Sequence, residues 1–292
     1  MKSVNNKSKK CDFTIDDICS CFGSKRDAYY KYVKRFEKRK SETKDVITLV
    51  KECRKSLPRE GGRKLYKKLK PDFDKQGIKV GRDTLFTILR DENMLVKRKK
   101  YSSKTTNSYH HFHKYNNIIK DIIPTRKNQI WVSDITYIRT INGFCYLALI
   151  TDVFSRKIIG FDASNSLELS GCLRALQKAL RALRYSESSI GLIHHSDRGS
   201  QYCSHMYVAK LKANGIKISM TQENHCYENA IAERVNGILK DEFFLDQVFA
   251  NLKHVKYAVN NAIKMYNSKR LHLSLDYKTP DMVYYNISYF IK

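Results

Sequence analysis

Three carboxylates stand where chemistry on a phosphodiester would want them. Asp134 interrupts a run rich in β-branched and aromatic residues, Gln129-Ile130-Trp131-Val132-Ser133-Asp134-Ile135-Thr136-Tyr137-Ile138, at a position that a buried strand fills more readily with valine. Asp197 follows a short apolar run, Ile190 to His194, within His194-His195-Ser196-Asp197-Arg198-Gly199-Ser200-Gln201-Tyr202. Glu233 lies in a helix-forming stretch, Tyr227-Glu228-Asn229-Ala230-Ile231-Ala232-Glu233-Arg234, and 35 residues separate it from Asp197. Cutting or exchanging a phosphodiester requires charge neutralisation at phosphorus, a deprotonated nucleophile and in-line geometry. Two Mg²⁺ ions held by a few hard carboxylate oxygens supply all three. Each acid also has an ordinary reading: Asp134 bonded to Thr136, Asp197 in a turn with Gly199, Glu233 paired on a helix surface with Arg234 or Lys240.

The elements that must position these acids can be read from the hydrophobic period. Residues 129–138 form a first strand, Asn142-Gly143 a hairpin turn, Phe144 to Thr151 a second strand and Lys157 to Asp162 a third. Leu167, Leu173, Leu176, Leu180 and Leu183 mark an amphipathic helix over 167–184. A short strand over 190–194, a helix over 204–214, a strand over 216–220 and helices over 229–243 and 252–267 complete the order β-β-β-α-β-α-β-α-α. That order describes an α/β unit with a mixed five-stranded sheet and helices on its faces. Asp197 then falls just past a strand end, where ligands of α/β sheets gather.

The first part of the chain has another character. Residues 13–40 read as two helices split at Gly23-Ser24, with Thr14 as N-cap and a basic second piece over 26–38. After Pro58-Arg59-Glu60-Gly61-Gly62, Leu65, Leu69 and Phe73 give an apolar stripe among Arg63, Lys64, Lys67, Lys68 and Lys70. A turn at Gly77 leads past Arg82 to a short helix over Thr84–Leu89 that ends near Asn93. Two basic helical hairpins in succession resemble helix-turn-helix modules, an all-α DNA-binding layout. The charge agrees: the 292 residues carry 55 Lys and Arg against 29 Asp and Glu, a net +26. Residues 1–130 hold +20 of it and the remainder +6. Such an excess favours a polyanionic partner. The organisation expected is therefore a helix-turn-helix DNA-binding region over 1–100, a basic linker over 101–127 and a catalytic unit with a helical tail over 128–292.

Other classes are disfavoured. The best local apolar run, Tyr146 to Ile150, is far short of a membrane span, and the N-terminus lacks a secretory pattern, so a cytoplasmic protein is expected. Eight cysteines at 11, 19, 21, 53, 145, 172, 203 and 226 show no CxxC spacing, which points to reduced thiols rather than zinc or disulfides.

The runs Trp131-x-x-Asp134-Ile135-Thr136-Tyr137, His195 to Tyr202, and Tyr227-Glu228-Asn229-Ala230-x-Ala232-Glu233 closely resemble the transposases of the insertion-sequence family three group. The tail Tyr266-Asn267-x-x-Arg270-x-His272-x-Ser274-Leu275, then Thr279-Pro280, is similar to that family's C-terminal signature. The resemblance implies a ribonuclease H-like fold shared with retroviral integrases. It makes Asp134, Asp197 and Glu233 the catalytic and metal-binding acids, with Mg²⁺ as cofactor and Mn²⁺ as a substitute. It implies Mg-dependent strand cleavage that leaves a 3′-hydroxyl, then strand transfer by attack of that hydroxyl. The partners implied are terminal inverted repeats and target DNA, with oligomerisation on DNA, a possible upstream-frame partner or fusion, and a nucleoid-associated bacterial location. Arg63, Lys64, Lys67, Lys68 and Arg82 are the expected DNA contacts in the front region. Lys240, seven residues after Glu233 and on the same helix face, is expected beside the DNA near the acids. Glu228, Cys203, Cys226 and Leu271 depart from the family pattern without touching the triad. Two alternatives stay open: a DNA-binding repressor with an inactive sheet domain, and a nuclease on the same fold that cuts without joining.

Overall fold

The computed structural model describes residues 14–97, 111–184, 191–222 and 229–287. Arg98 to His110, which include much of the expected linker, Ile190 of the expected fourth strand, and Cys226, Tyr227 and Glu228 lie outside the described residues. Helix α1 (Ile15–Cys21) opens with a capping box in which Thr14 and Asp17 satisfy each other's backbone N–H groups. Helix α2 (Arg26–Ser56) then runs for 31 residues, well beyond the expected end at 38. The stretch Arg39-Lys40-Ser41-Glu42-Thr43-Lys44-Asp45 has no apolar period to mark a helix. It also has no Gly or Pro to stop one, so the helix continues.

The packed part of α2 is its second half. Val46 and Val50 meet Leu65, Leu69 and Phe73 of α3 (Gly62–Lys75) and Leu85 and Leu89 of α4 (Arg82–Asp91) in one small core. Gly77 takes a left-handed backbone (φ 67°) in the turn that follows α3, and Asn93 (φ 55°) ends α4. The compact helical unit is thus α2's C-terminal half with α3 and α4. The aromatic row Tyr29, Tyr30, Tyr32 and Phe36 is exposed.

Strands β1 (Ile130–Thr140), β2 (Gly143–Asp152) and β3 (Ile158–Ser164) form an antiparallel meander. Strands β4 (Ile193–Ser196) and β5 (Lys217–Met220) then add parallel to β1, in the order β3-β2-β1-β4-β5. This is the ribonuclease H-like arrangement. Period-two alternation divides β2 between two cores. Ala148 and Ile150 face α5 (Leu169–Arg184) and α7 (His205–Lys212), which follows the single turn α6 (Ser200–Cys203). Leu147 and Leu149 face α8 (Ala230–Glu242) and α9 (Leu252–Lys269). A 3-10 turn (Leu273–Leu275) and α10 (Pro280–Tyr284) end the described chain. α5 lies unusually close to β3: a Cβ on Gly160 would come within 2.3 Å of the Ala175 carbonyl oxygen, so only glycine fits.

β4 lies a few residues later than the apolar pattern suggests. Gly191 is in a left-handed turn (φ 78°), and the buried rungs are Ile193, His194, His195 and Ser196. The two imidazoles can be buried because each finds a partner. His194 Nε2 lies 2.6 Å from Ser133 Oγ and 3.0 Å from Tyr207 Oη, and His195 Nδ1 lies 2.8 Å from Ser219 Oγ. Burial drives His194 down to about 3, so its ring is neutral.

The helical unit is fastened to the sheet unit by charge. Lys64 Nζ donates to both oxygens of Glu242 (2.9 and 3.1 Å), and Arg270 donates to the same carboxylate through Nε (2.8 Å) and Nη2 (2.7 Å). Lys68 Nζ donates to Glu60 and to the Lys269 carbonyl at 3.0 Å. Among the described residues no helix is long and apolar enough to cross a membrane, and the six cysteines described are free.

Candidate active site

The parallel pairing of β1 with β4 sets two of the acids side by side. Ser133 pairs with Ser196, and Asp134 and Asp197 are each the next residue. Adjacent strands are about 4.8 Å apart, so the two side chains leave neighbouring positions at the end of that ladder. Asp134 continues in β1, opposite Leu149 of β2, while Asp197 has just left β4. Glu233 projects from the first turn of α8.

Helix α8 is held over β1 at two adjacent residues, Ser133 and Asp134 itself. Asn229, buried at the helix start, donates from Nδ2 to the Ser133 carbonyl at 3.0 Å. Asn236 donates from Nδ2 to Asp134 Oδ2 at 2.6 Å, and the Ile135 N–H donates to Asp134 Oδ1 at 2.9 Å. Ala232 packs between them against Ile130 and Val132. The sequence alone does not single out Asn236. Its signal is the three-residue step from Glu233, which returns a helix to the same face.

The electrostatics report a crowd of like charges. Burial and then the charge of Asp197 push the Asp134 carboxyl up to about 7. The Ile135 N–H and Asn236 oppose that rise, and Glu233 adds a smaller upward push. Glu233 is itself raised, by burial and by Asp197. The three acids therefore feel one another. Among the described residues, however, no group of three His, Cys, Asp or Glu side chains is drawn tightly enough to enclose a metal ion as it stands. Asp134 and Asp197 are the close pair, and Glu233 stands further out on an exposed helix turn.

The ordinary readings fare differently. Asp134 bonds Asn236 and Ile135 rather than Thr136. Asp197 does accept the Gly199 N–H at 3.0 Å, so its turn role is real and coexists with its place beside Asp134.

Lys240 is half-buried on α8. Burial lowers its ammonium while Asp134 and Asp246 draw it up and Arg139 opposes them, which puts it on the side of the helix that faces β1. The front-region cations separate into two groups. Arg63 and Lys67 are exposed on α3, with Lys67 Nζ 6.0 Å from the Tyr277 ring centre, and Arg82 is exposed beside Asp83. Lys64 and Lys68 are instead engaged by partners within the protein. Lys64 is buried in the Glu242 ion pair, and Lys68 is spent on Glu60 and the Lys269 carbonyl. Helical spacing alone could not separate these lysines, because the partners that hold them against the sheet unit are distant in sequence.

Comparison with known proteins covers the whole of this region. Two family models, both described as an integrase core domain, match residues 124–226 and 214–280. An uncharacterized 31 kDa protein of insertion element IS600 from Shigella sonnei is 34% identical over 90% of this chain and 96% of its own. The transposase for insertion sequence element IS629 from the same species is 33% identical over 75% of this chain and 72% of its own. The transposase InsF for insertion sequence IS3A of Escherichia coli K12 is 29% identical over 93% and 94%.

Proposed function

We propose that this chain, which belongs to the integrase-core transposases of the insertion-sequence family three group and is thus a polynucleotidyl transferase, binds the terminal inverted repeats of its own element, cuts one strand there to leave a 3′-hydroxyl, and joins that end to target DNA. The observation that carries this reading is the placement of Asp134 and Asp197 as neighbours at the end of the β1–β4 ladder, with Glu233 on a helix pinned over them.

The donor set suits a hard divalent cation. It consists of carboxylate oxygens, and burial together with the charge of Asp197 raises the Asp134 carboxyl to about 7, a pressure that a bound cation would relieve. Asp134, Asp197 and Glu233 would hold Mg²⁺, which supplies charge neutralisation at the phosphate and an activated oxygen nucleophile. The protein's own part is orientation. Asn236 fixes one oxygen of Asp134 and the Ile135 N–H fixes the other, so the carboxylate cannot swing. Of the five front-region cations expected at DNA, Arg63, Lys67 and Arg82 stay exposed to track phosphates, and Lys240 would hold the strand near the acids. Oligomerisation on DNA and an upstream-frame partner belong to the same reading. Strand transfer of a labelled element end in Mg²⁺ tests it. Joined product supports a transposase, cut but unjoined product a nuclease, and binding without cutting a repressor.

Two results follow. Asn236→Ala should lower cleavage by roughly 10–100-fold, as loss of a partner that orients a metal-binding group commonly does. DNA affinity should stay unchanged, and single-turnover cleavage at saturating DNA reads the effect. Wild-type rates would remove Asn236 from any orienting role. Lys240→Ala should weaken productive DNA placement, Lys240→Arg should keep much of the activity, and Lys240→Glu should be far worse than Ala, because a phosphate accepts either cation and repels a carboxylate. Cleavage measured against DNA concentration checks this. Equal activity in all three would make Lys240 an ordinary surface lysine.

A further inference from the structure

Helix α8 has a second flank that lines a cavity. Arg234 follows Glu233, and successive residues of a helix turn by about 100°. Beside Arg234 a cavity of about 430 Å³ opens between α8, the end of α9 and the 3-10 turn. Its polar lining is Arg156, Arg234, Tyr266, Arg270, His272 and Ser274. Arg270 is already committed, to Glu242 and to His272 Nε2 at 3.0 Å. Arg156 and Arg234 have no such carboxylate among the described residues.

Arg156 comes from the tight β2–β3 connection, in a left-handed conformation (φ 63°), and its carbonyl accepts the Tyr266 hydroxyl at 3.0 Å. Its Nη1 is buried and has no hydrogen-bond partner among the described residues. A buried guanidinium N–H without an acceptor is costly and calls for an explanation. The acids nearby are occupied. Asp152 accepts from Asn128 and from both the N–H and the hydroxyl of Ser155, and Glu242 accepts from Lys64 and Arg270. Two guanidinium groups thus line one concave, partly apolar space with no carboxylate among its lining residues to match them. Guanidinium forks match carboxylate and phosphate oxygens alike; on the DNA-processing reading the acceptor at hand is a phosphate, and the apolar side of the cavity, with Val235 and Ile238, suits the attached sugar.

We propose that this cavity seats a backbone phosphate of the DNA on which the neighbouring carboxylates act, held by Arg156 and Arg234. The proposal rests on the DNA-processing reading above and adds to it a second anchor, one residue along α8 from Glu233, so that the bound strand crosses the helix.

The test is binding of a fluorescein-labelled duplex of random sequence by the full chain, measured by anisotropy across a salt series. Wild type is compared with Arg234→Ala, Arg156→Lys and a control that removes one charge elsewhere, Lys210→Ala on the exposed side of α7. Arg234 is exposed, so its removal leaves the fold intact. Arg234→Ala should weaken binding about tenfold or more, with a log–log salt slope shallower by about 0.9 because one phosphate is no longer neutralised. Arg156→Lys, which loses the fork but keeps the charge, should fall between Arg234→Ala and wild type. Lys210→Ala should match wild type. If wild type binds and both arginine variants bind equally well with the same slope, the pocket proposal is overturned while the DNA reading stands. Equal losses in Arg234→Ala and Lys210→Ala would also overturn it, as a general effect of charge. If wild type binds no duplex at any salt, the DNA reading itself fails and takes the occupant with it.

Discussion

Asp134→Asn, Asp197→Asn or Glu233→Gln should each abolish cleavage and joining while leaving DNA binding within a few-fold of wild type. Metal-assisted stabilisation of the transition state is worth several kcal/mol, so the loss should be roughly a thousandfold or more. The amide keeps the shape and loses the charge. The structure adds a control for folding. Burial and the charge of Asp197 both oppose ionisation of Asp134. An amide there removes that repulsion, so Asp134→Asn should not melt appreciably below wild type. Strand transfer on labelled ends, run beside thermal unfolding of the same samples, reads both. Strand transfer retained by any one variant would remove that residue from the site. A large drop in melting temperature together with lost activity would make that acid structural.

Glu242→Ala should be the most destabilising single change outside the cores. It leaves Lys64 and Arg270, whose side chains are 8% and 6% exposed, facing each other without their shared carboxylate. Breaking a buried pair by removing one partner costs about 3–5 kcal/mol. Lys64 can escape by shedding its proton, since burial and Arg270 already lower it. Arg270 cannot, so most of the cost falls there. The acid side carries a signature. Burial alone would raise the Glu242 carboxyl, but Arg270 and Lys64 together hold it below its ordinary value. A depressed acid stabilises the fold above its unfolded-state pKa, and that contribution is lost as pH falls through the folded-state value. Wild type should therefore lose stability on acidification through this group, and Glu242→Ala should lack that component. Denaturant unfolding at neutral and acidic pH checks it. A variant within about 0.5 kcal/mol of wild type would show the pair to be worth no more than a surface bridge.

Much of the fold is legible in the chain. Alternating β-branched residues, an Asn-Gly turn and leucines at helical spacing are local signals, and they mark the five strands and the helices that flank them. The spacing of Asp134, Asp197 and Glu233 within their motifs marks the acids. What stays hidden depends on partners far along the chain. The apolar pattern sets β4 too early, because His194, His195 and Ser196 do not look like core residues until Ser133, Tyr207 and Ser219 are beside the two imidazoles. Lys64 looks like its exposed neighbours Arg63 and Lys67, because nothing within a turn of it indicates a carboxylate near residue 242. Asn236 is a polar helix residue with no local peculiarity, and its role appears only when β1 is packed beneath α8. α2 outruns its expected end because no Gly or Pro interrupts residues 39–45 and the helix beyond them is packed through Val46 and Val50, a contact with α3 and α4 that the local pattern does not announce.

The bond between Lys64 and Glu242 joins residues 178 positions apart, and this gives the molecule an order of assembly. Contacts of high sequence separation form late, because the chain between them must first be ordered or confined. The small helical core closes through neighbours within Val46 to Leu89 and can form as soon as that segment is made. The sheet comes next. At about 5–20 residues per second of synthesis, the helices wait on the order of eight to thirty seconds before residue 242 exists, and slightly longer for Arg270. During that interval Lys64 is a solvated lysine on a nascent surface. The contact between the two units therefore waits on α8, which ends at Glu242, and on α9, whose C-cap is Arg270.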